Sequence, residues 1–338
     1  MDGYLYTPEK PKDEDVTFVF QGAFDPLITP KCINETKRFF PSASFYLSTW
    51  EGTEIQNLVD CKIIFNRDPG GKRDCRNNLF NNLSRQLVST QRGLEEVETK
   101  YVVKLRSDTL LNSRALFDIF LEYPKRKKEL MVFERKLVLS SYFTKRCLIS
   151  SDGNWVMPTP FHFSDWFCFG LTNDVLNYFN VPIPTDLYFH YFSQNKYLGN
   201  KTDLMYCEHQ YAPEQYIAYN SYSKLVPNAT PFENYLDFGN ENILESDRYL
   251  ANNFIVCDPK KLGLVCLKPG TNNDTYRDWT TGKKQLPYIT WAAIVRPYVF
   301  DLLYQKYIDP TYKVPINKRL KEITEQILIA KGKRCPIL

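Results

Sequence analysis

Histidine is scarce in this sequence, with His162, His190 and His209 the three present among 338 residues. The nine cysteines are scattered, and no two are spaced as Cys-x-x-Cys. An odd number of dispersed thiols argues against a disulfide framework and against a zinc site of paired cysteines, and it suits a reducing compartment. The histidines are too dispersed to nominate a metal triad. No apolar run reaches the length of a membrane span. The opening stretch MDGYLYTPEKPKDEDV is polar and acidic, unlike a secretory leader. The expectation is a soluble, cytoplasmic protein. An excess of one charge is also missing. Lys and Arg number 43 against 39 Asp and Glu, and a net charge of +4 is too small to imply a nucleic-acid partner. No glycine-rich phosphate loop follows the first expected strand, which counts against a nucleotidyltransferase.

Aromatic side chains, by contrast, are plentiful, with 23 Tyr and 23 Phe. They supply either a heavy core or surfaces on which sugars and bases stack. Ordered elements alternate along the chain. The unbroken apolar run Val16 to Phe20 reads as a strand covered on both faces. A helix follows over TPKCINETKRFF, stopped by Pro41. SASFYLSTWEG and CKIIFN read as the next strands, the second running into the turn-rich RDPGGKRD. Leu79, Leu83, Leu87 and Leu94 then mark a helical stripe, and YVVKLRSD is the fourth strand. Further on, a helix is expected from Ser113 to Tyr123, and a hairpin from ELMVFER and KLVLSSYF. PTPFHFSDWFCFG reads as an aromatic-rich strand followed by a helix capped at Thr172 or Asn173, and another helix starts at Pro213.

Strands alternating with helices imply right-handed crossovers in a Rossmann-type, mostly parallel sheet flanked by helices, an α/β fold. Each of the first four strands ends in polar residues or glycine: Gln21-Gly22, Ser48-Thr49, Asn66-Arg67 and Ser107-Asp108. Open α/β sheets bind ligands beyond the carboxyl ends of their strands, so this pattern is that of a pocket built from strand tips. Lys104, Arg106 and Asp108 fall on one face of an ideal strand. There the cations would pair with a diphosphate and the carboxylate would hold a divalent ion. Residues 1–265 form the expected main domain and 266–338 a C-terminal extension.

The series FVFQG, FYLSTWEG, NRDPGG, NNLSRQLVSTQRGL, YVVKLRSD and FHFSDWFCFG resembles the WavE lipopolysaccharide synthesis family, with STWEG and KLRSD its most specific parts and PEQY at Pro213 a later one. The resemblance implies a GT-A-like fold and a glycosyltransferase. The enzyme would move a sugar from a nucleotide-sugar donor, UDP-sugar favoured, to a hydroxyl of a lipopolysaccharide, capsule or other surface-glycan acceptor. It implies that Gln21 and Gly22 cradle the nucleotide, that Thr49, Trp50, Glu51 and Asp68 read the base, and that Arg85 and Gln86 touch the nucleotide or donor sugar. The usual Asp-x-Asp is Arg106-Ser107-Asp108 here. Either Asp108 alone holds Mn²⁺ or Mg²⁺, or Arg106 and Lys104 take over part of the charge neutralisation. Asp165 is the first choice for the base that deprotonates the acceptor, and Glu214 the second. The altered triplet also fits a rival reading, a non-catalytic carbohydrate- or nucleotide-binding protein with a degenerate site. Lys313 to Leu338 hold seven basic and two acidic residues. An amphipathic helix from about Pro315 to Ile329 would lie on an anionic membrane surface, where lipid-linked acceptors reside, or close over the core with a solvated basic face.

Overall fold

The apolar run at Val16 forms β1 (Val16–Gln21), and all six of its residues are buried. Its burial on both faces follows from side-chain alternation. Phe18 packs against Phe40 and Phe45 at 4.8 and 5.1 Å between ring centroids. On the other face Val19 lies under a helix. The protein is described by a computed structural model covering residues 4–5, 9–75, 77–150, 155–194, 207–267, 289–294, 297–314, 316 and 333–334.

β1 belongs to a seven-stranded sheet. Its other strands are β2 (Ser44–Trp50), β3 (Lys62–Asn66), β4 (Tyr101–Arg106), β5 (Leu137–Ser140), β6 (Phe167–Leu171) and β7 (Phe254–Cys257). The spatial order is β3-β2-β1-β4-β6-β5-β7. β6 runs antiparallel to both β4 and β5, and every other pairing is parallel. This is the expected α/β architecture, a mostly parallel sheet flanked by helices. The order reverses between β1 and β4, and the register sets Gln21 beside Ser48 on one side and Arg106 on the other.

Helix α1 (Thr29–Phe39) ends one residue before Pro41, because a residue preceding proline is pushed out of the helical region. Helix α2 (Leu83–Glu95) begins later than its leucine stripe predicts. Asn78 takes a positive φ of 62°, and Asn81 Oδ1 accepts the Leu83 N–H at 3.0 Å, so the chain turns there instead of coiling. Leu79 and Phe80 are left 51% and 63% exposed. Helices α3 (Thr172–Phe179) and α4 (Pro213–Leu225) occur where expected. At α3 the cap position is Leu171, since the Thr172 hydroxyl donates instead to the Thr99 carbonyl at 2.7 Å.

Three expected elements differ. The helix from Ser113 shortens to Leu116–Ile119. The strand ELMVFER is absent, because side chains satisfy its backbone donors. Asn253 accepts from the Val132 N–H at 2.8 Å, and Asp174 accepts from Glu134 and Arg135 at 2.9 and 2.8 Å. β5 therefore pairs with β6 and β7 rather than in a hairpin. The stretch from Thr159 to Trp166 is a loop, with Ser246 and Thr144 accepting its Phe161 and Ser164 N–H groups. Helices α5 (Asn240–Asn253) and α6 (Pro297–Tyr307) complete the described framework. α6 is anchored by Asp301, which accepts from Tyr123, and by Tyr304, whose hydroxyl accepts the Lys125 N–H at 2.9 Å. The expected helix over 315–329 lies outside the described residues, apart from Ile316. Among the described residues, no helix is long and apolar enough to cross a membrane.

Gly93 lets α2 sit directly on the sheet. A Cβ there would lie 2.6 Å from Val19 Cγ1 and 3.0 Å from Ser48 Cβ. Overpacking of that kind costs roughly 1–3 kcal/mol, while replacing a helical glycine by alanine returns about 1 kcal/mol. Gly93→Ala should therefore lower stability by up to about 2 kcal/mol in urea denaturation. A variant as stable as the parent would show that this contact is not tight.

Candidate active site

A cleft of about 730 Å³ opens over the paired tips of β1 and β4. Its position is the one topology favours, since the connection leaving β1 runs toward β2 and the one leaving β4 runs the other way, so neither covers the seam between them. The seam is closed from below. The Ser107 N–H donates to the Gln21 carbonyl at 2.9 Å, and the Ser107 hydroxyl donates to the Ala23 carbonyl at 2.6 Å. Gly22 takes a φ of 117° here and donates its N–H to the Ser48 carbonyl at 3.0 Å. A side chain at Gly22 would be strained in that backbone conformation, which glycine adopts without cost.

Gln21, Gly22, Trp50, Asp68, Arg85, Gln86, Arg106, Asp108, Asp165 and Glu214 all line this cleft. Thr49 and Glu51 do not. Thr49 is fully buried within β2, its hydroxyl without a partner, and Glu51 sits on an exposed turn past the strand end. The alternation of β2 accounts for both, because only Trp50 of the three projects toward the opening.

Two guanidinium–carboxylate pairs border the cleft. Arg85 donates from Nε and Nη2 to the Asp68 oxygens at 2.8 and 2.7 Å, and Asp68 also accepts the Gly70 N–H at 2.9 Å. The Arg85 hydrogen bonds hold the Asp68 carboxyl below its usual range, against a smaller opposing effect of burial. Arg106 donates from Nε and Nη2 to the two oxygens of Asp108 at 2.9 and 2.6 Å. Its guanidinium carbon lies 4.5 Å from the centre of the Trp166 ring, so the arginine is stacked as well as paired. Lys104, expected beside them, does not reach the opening. It is fully buried, its ammonium donating to the Asp165 carbonyl and lying 5.0 Å from the Phe179 ring. Burial pushes its pKa down to about 8. Its place two residues deeper in β4 puts it behind the wall.

A set of carboxyl groups comes from the loop before β6 and the first turn of α4. Asp165 is 4% exposed. Gln215 ties these elements together, donating from Nε2 to the Pro160 carbonyl at 2.9 Å and accepting the Ala212 N–H at 3.2 Å. Burial, and then the neighbouring Asp165 charge, push the Glu214 carboxyl up to about 8. Lys145 faces both carboxylates, yet burial lowers its pKa, with Glu214 opposing that shift. Behind them, burial and then Lys145 keep His162 neutral. Its Nδ1 lies 2.8 Å from the Phe143 carbonyl, an acceptor, so Nδ1 carries the proton and Nε2 faces Glu214 Oε2 at 3.8 Å. A protonated Glu214 suits that neighbour.

The sequence reading missed Lys145 and Asp25 as parts of this region, and placed Ser107 only as a strand-tip residue. No motif marks Lys145; only its burial beside two acids does. Of the two cations in the second expected version of the triplet, Arg106 is at the cleft and Lys104 is not. Asp108 lines the cleft with both oxygens taken by one guanidinium. A carboxylate is the kind of oxygen ligand that Mn²⁺ or Mg²⁺ takes, and Asp108 would be the residue to hold such an ion.

Comparison with known proteins bears on this arrangement. No curated protein matches the chain. Among solved structures, HddC from Yersinia pseudotuberculosis is similar at 10% identity and a TM-score of 0.26, over 47% of this chain and 77% of that one. The galactosyltransferase LgtC, solved in complex with donor and acceptor sugar analogs, is similar at 9% identity and a TM-score of 0.35, over 90% of this chain and 99% of that one. Neither likeness bears on the chemistry of this chain. The family model for WavE lipopolysaccharide synthesis matches residues 16–330, a span that takes in every strand of the central sheet and every residue of the cleft, and the chain belongs to that family.

Proposed function

We propose that this protein is a glycosyltransferase of surface-glycan synthesis. It takes a sugar from a nucleotide-sugar donor, UDP-sugar favoured, and gives it to a hydroxyl of a lipopolysaccharide, capsule or related acceptor. The observation that carries the reading is a cleft at the sheet's switch point that joins carboxylate-paired arginines to buried Asp165 and partly buried Glu214. Family membership supports the substrate class.

In this reading the nucleotide lies over Gln21 and Gly22, the base near Trp50, Asp68 and Gln86, and Arg85 and Arg106 meet the phosphates. Arginine pairs with phosphate oxygens in a bidentate way, so a diphosphate would draw Arg106 away from Asp108. A Mn²⁺ or Mg²⁺ ion on the released Asp108 would add charge neutralisation at the diphosphate. The acceptor oxygen attacks the anomeric carbon, the bond from that carbon to the diphosphate breaks, and nucleoside diphosphate leaves. Asp165 takes the acceptor proton if configuration inverts. Glu214 is the poorer base, because its carboxyl stays protonated near neutrality, and it serves as a hydrogen-bond donor. Thr49 and Glu51 have no direct role. The basic C-terminal segment holds the protein on the cytoplasmic face of a membrane beside a lipid-linked acceptor; the charge pattern of residues 313–338 supports this.

One observation favours the rival, a non-catalytic binder. A fixed cation, Arg106, already neutralises the only acid of the Arg106-Ser107-Asp108 triplet. A transferase incubated with nucleotide sugars leaks free nucleotide slowly, whereas a binder leaves the donor intact.

A nucleotide panel read by thermal shift, with and without Mn²⁺, should show a rise with one nucleoside diphosphate. No shift with any would end the donor assignment. Asp108→Asn should cut transfer by at least about a hundredfold while the protein stays folded, the scale of losing one key electrostatic group. Undiminished turnover would remove Asp108 from the site.

Glu214 gives a pH prediction. Its protonated form is the one used, and its raised pKa means this form is lost as pH climbs through about 8. Transfer by the parent protein should therefore fall on the alkaline side. Glu214→Gln, which keeps a neutral donor, should flatten that limb. An unchanged alkaline limb in the variant would assign the fall to another group.

A further inference from the structure

A second cluster of metal-ligand side chains stands apart from the cleft residues. We infer that Asp74, Cys207 and His209 form a Zn²⁺ site that clips the loop after β3 to the segment entering α4. One ligand atom from each lies within 4.8 Å of the others. His209 Nδ1 is 3.2 Å from Asp74 Oδ2. Ligands on one tetrahedral zinc, with bonds of about 2.0–2.3 Å, stand roughly 3.2–3.8 Å from one another, so only small rotations close the set.

The donor set selects the ion. A thiolate, an imidazole and a carboxylate suit zinc, whereas Mg²⁺ and Mn²⁺ prefer oxygen alone. This cluster is therefore chemically distinct from Asp108. Three protein ligands leave the fourth position to water.

The surroundings orient the ligands. Asp74 accepts the Glu208 N–H at 2.8 Å on Oδ2 and the Asn77 N–H at 3.2 Å on Oδ1, which fixes its carboxylate plane. The His209 ring stacks on Tyr188 at 5.8 Å between centroids. Tyr188 is itself held, its hydroxyl donating to the Tyr211 carbonyl at 2.8 Å and accepting from Asn81 at 3.3 Å. Asp74 and Cys207 are buried and His209 is partly so. Such secondary contacts are how ligands in metal sites are held in place.

Position gives the ion its purpose. Asp74 sits in the loop of the hairpin formed by Lys72–Arg73 and Phe80–Asn81, between the turn carrying Asp68 and the stretch carrying Asn82 and Arg85. Cys207 and His209 precede Pro213 and Glu214 by a few residues. One ion would thus join the stretch that supplies Asp68 and Arg85 to the stretch that supplies Glu214. Binding to the folded state alone adds stability by mass action.

The test uses the full-length protein equilibrated with Zn²⁺ and dialysed, then analysed by mass spectrometry for metal. About one Zn²⁺ per chain is expected. Co²⁺ in its place should show a thiolate-to-cobalt charge-transfer band, present in the parent and in Cys61→Ser and lost in Cys207→Ser. Removing the ion with a chelator should lower Tm, and Mn²⁺ should not restore it. Failure of the parent protein to retain zinc overturns the proposal without any variant. A cobalt band that persists in Cys207→Ser overturns it too. None of these readouts depends on sugar transfer.

Discussion

The direction change between β1 and β4 is the constraint on which the rest depends. Both strands run the same way and lie side by side, yet the chain reaches β2 and β4 by crossovers on different sides. The strands stay paired to their tips, but the connections that leave them part, and side chains line the space between. Ser107 stitches the base of that space, and Gly22 supplies the positive φ beside it. Every polar residue placed in the cleft by β1, β2 and β4 is there because of this divergence.

Burial sets the charges that result. The two arginine–carboxylate pairs at the opening are partly solvated, so each ion has a partner and some water. Deeper in, Lys104 and Lys145 are cut off from solvent, and desolvation weakens their hold on a proton. The protein thus keeps firm cations at the rim and softer ones behind it. On the proposed reading that gradient is useful. Phosphate charge is met by groups that never lose theirs, while burial raises the proton affinity of Glu214.

Much of the sheet was legible from sequence, since both-face burial makes β1 and β4 largely apolar, interrupted at Thr17 and Lys104, and the helices between them carry clear stripes. The regions misjudged share one cause. ELMVFER has strand-like composition, but Asn253 and Asp174, distant in sequence, supply its hydrogen-bond partners. FHFSDWF likewise looks like a strand, and long-range side-chain bonds hold it as a loop. In the candidate site, strand-tip residues could be read from local pattern, as with Gln21, Gly22, Arg106 and Asp108. Lys104 shows the limit of that method: alternation gave its face correctly but not its depth. Lys145 and the Asp74, Cys207 and His209 group were invisible, because only folding brings their segments together.

The anchoring of the Thr159–Trp166 loop has a consequence for how such a protein diversifies. Gln215, Ser246, Thr144 and Lys104 grip its backbone from four different parts of the chain. Asp165 and Glu214 are consequently mounted on one stiff platform, and shifting either acid would mean rebuilding several distant neighbours at once. Variation in the molecule accepted is cheaper at the lip, where Phe80 stands in solvent with no such attachments and can change size without disturbing anything beneath it.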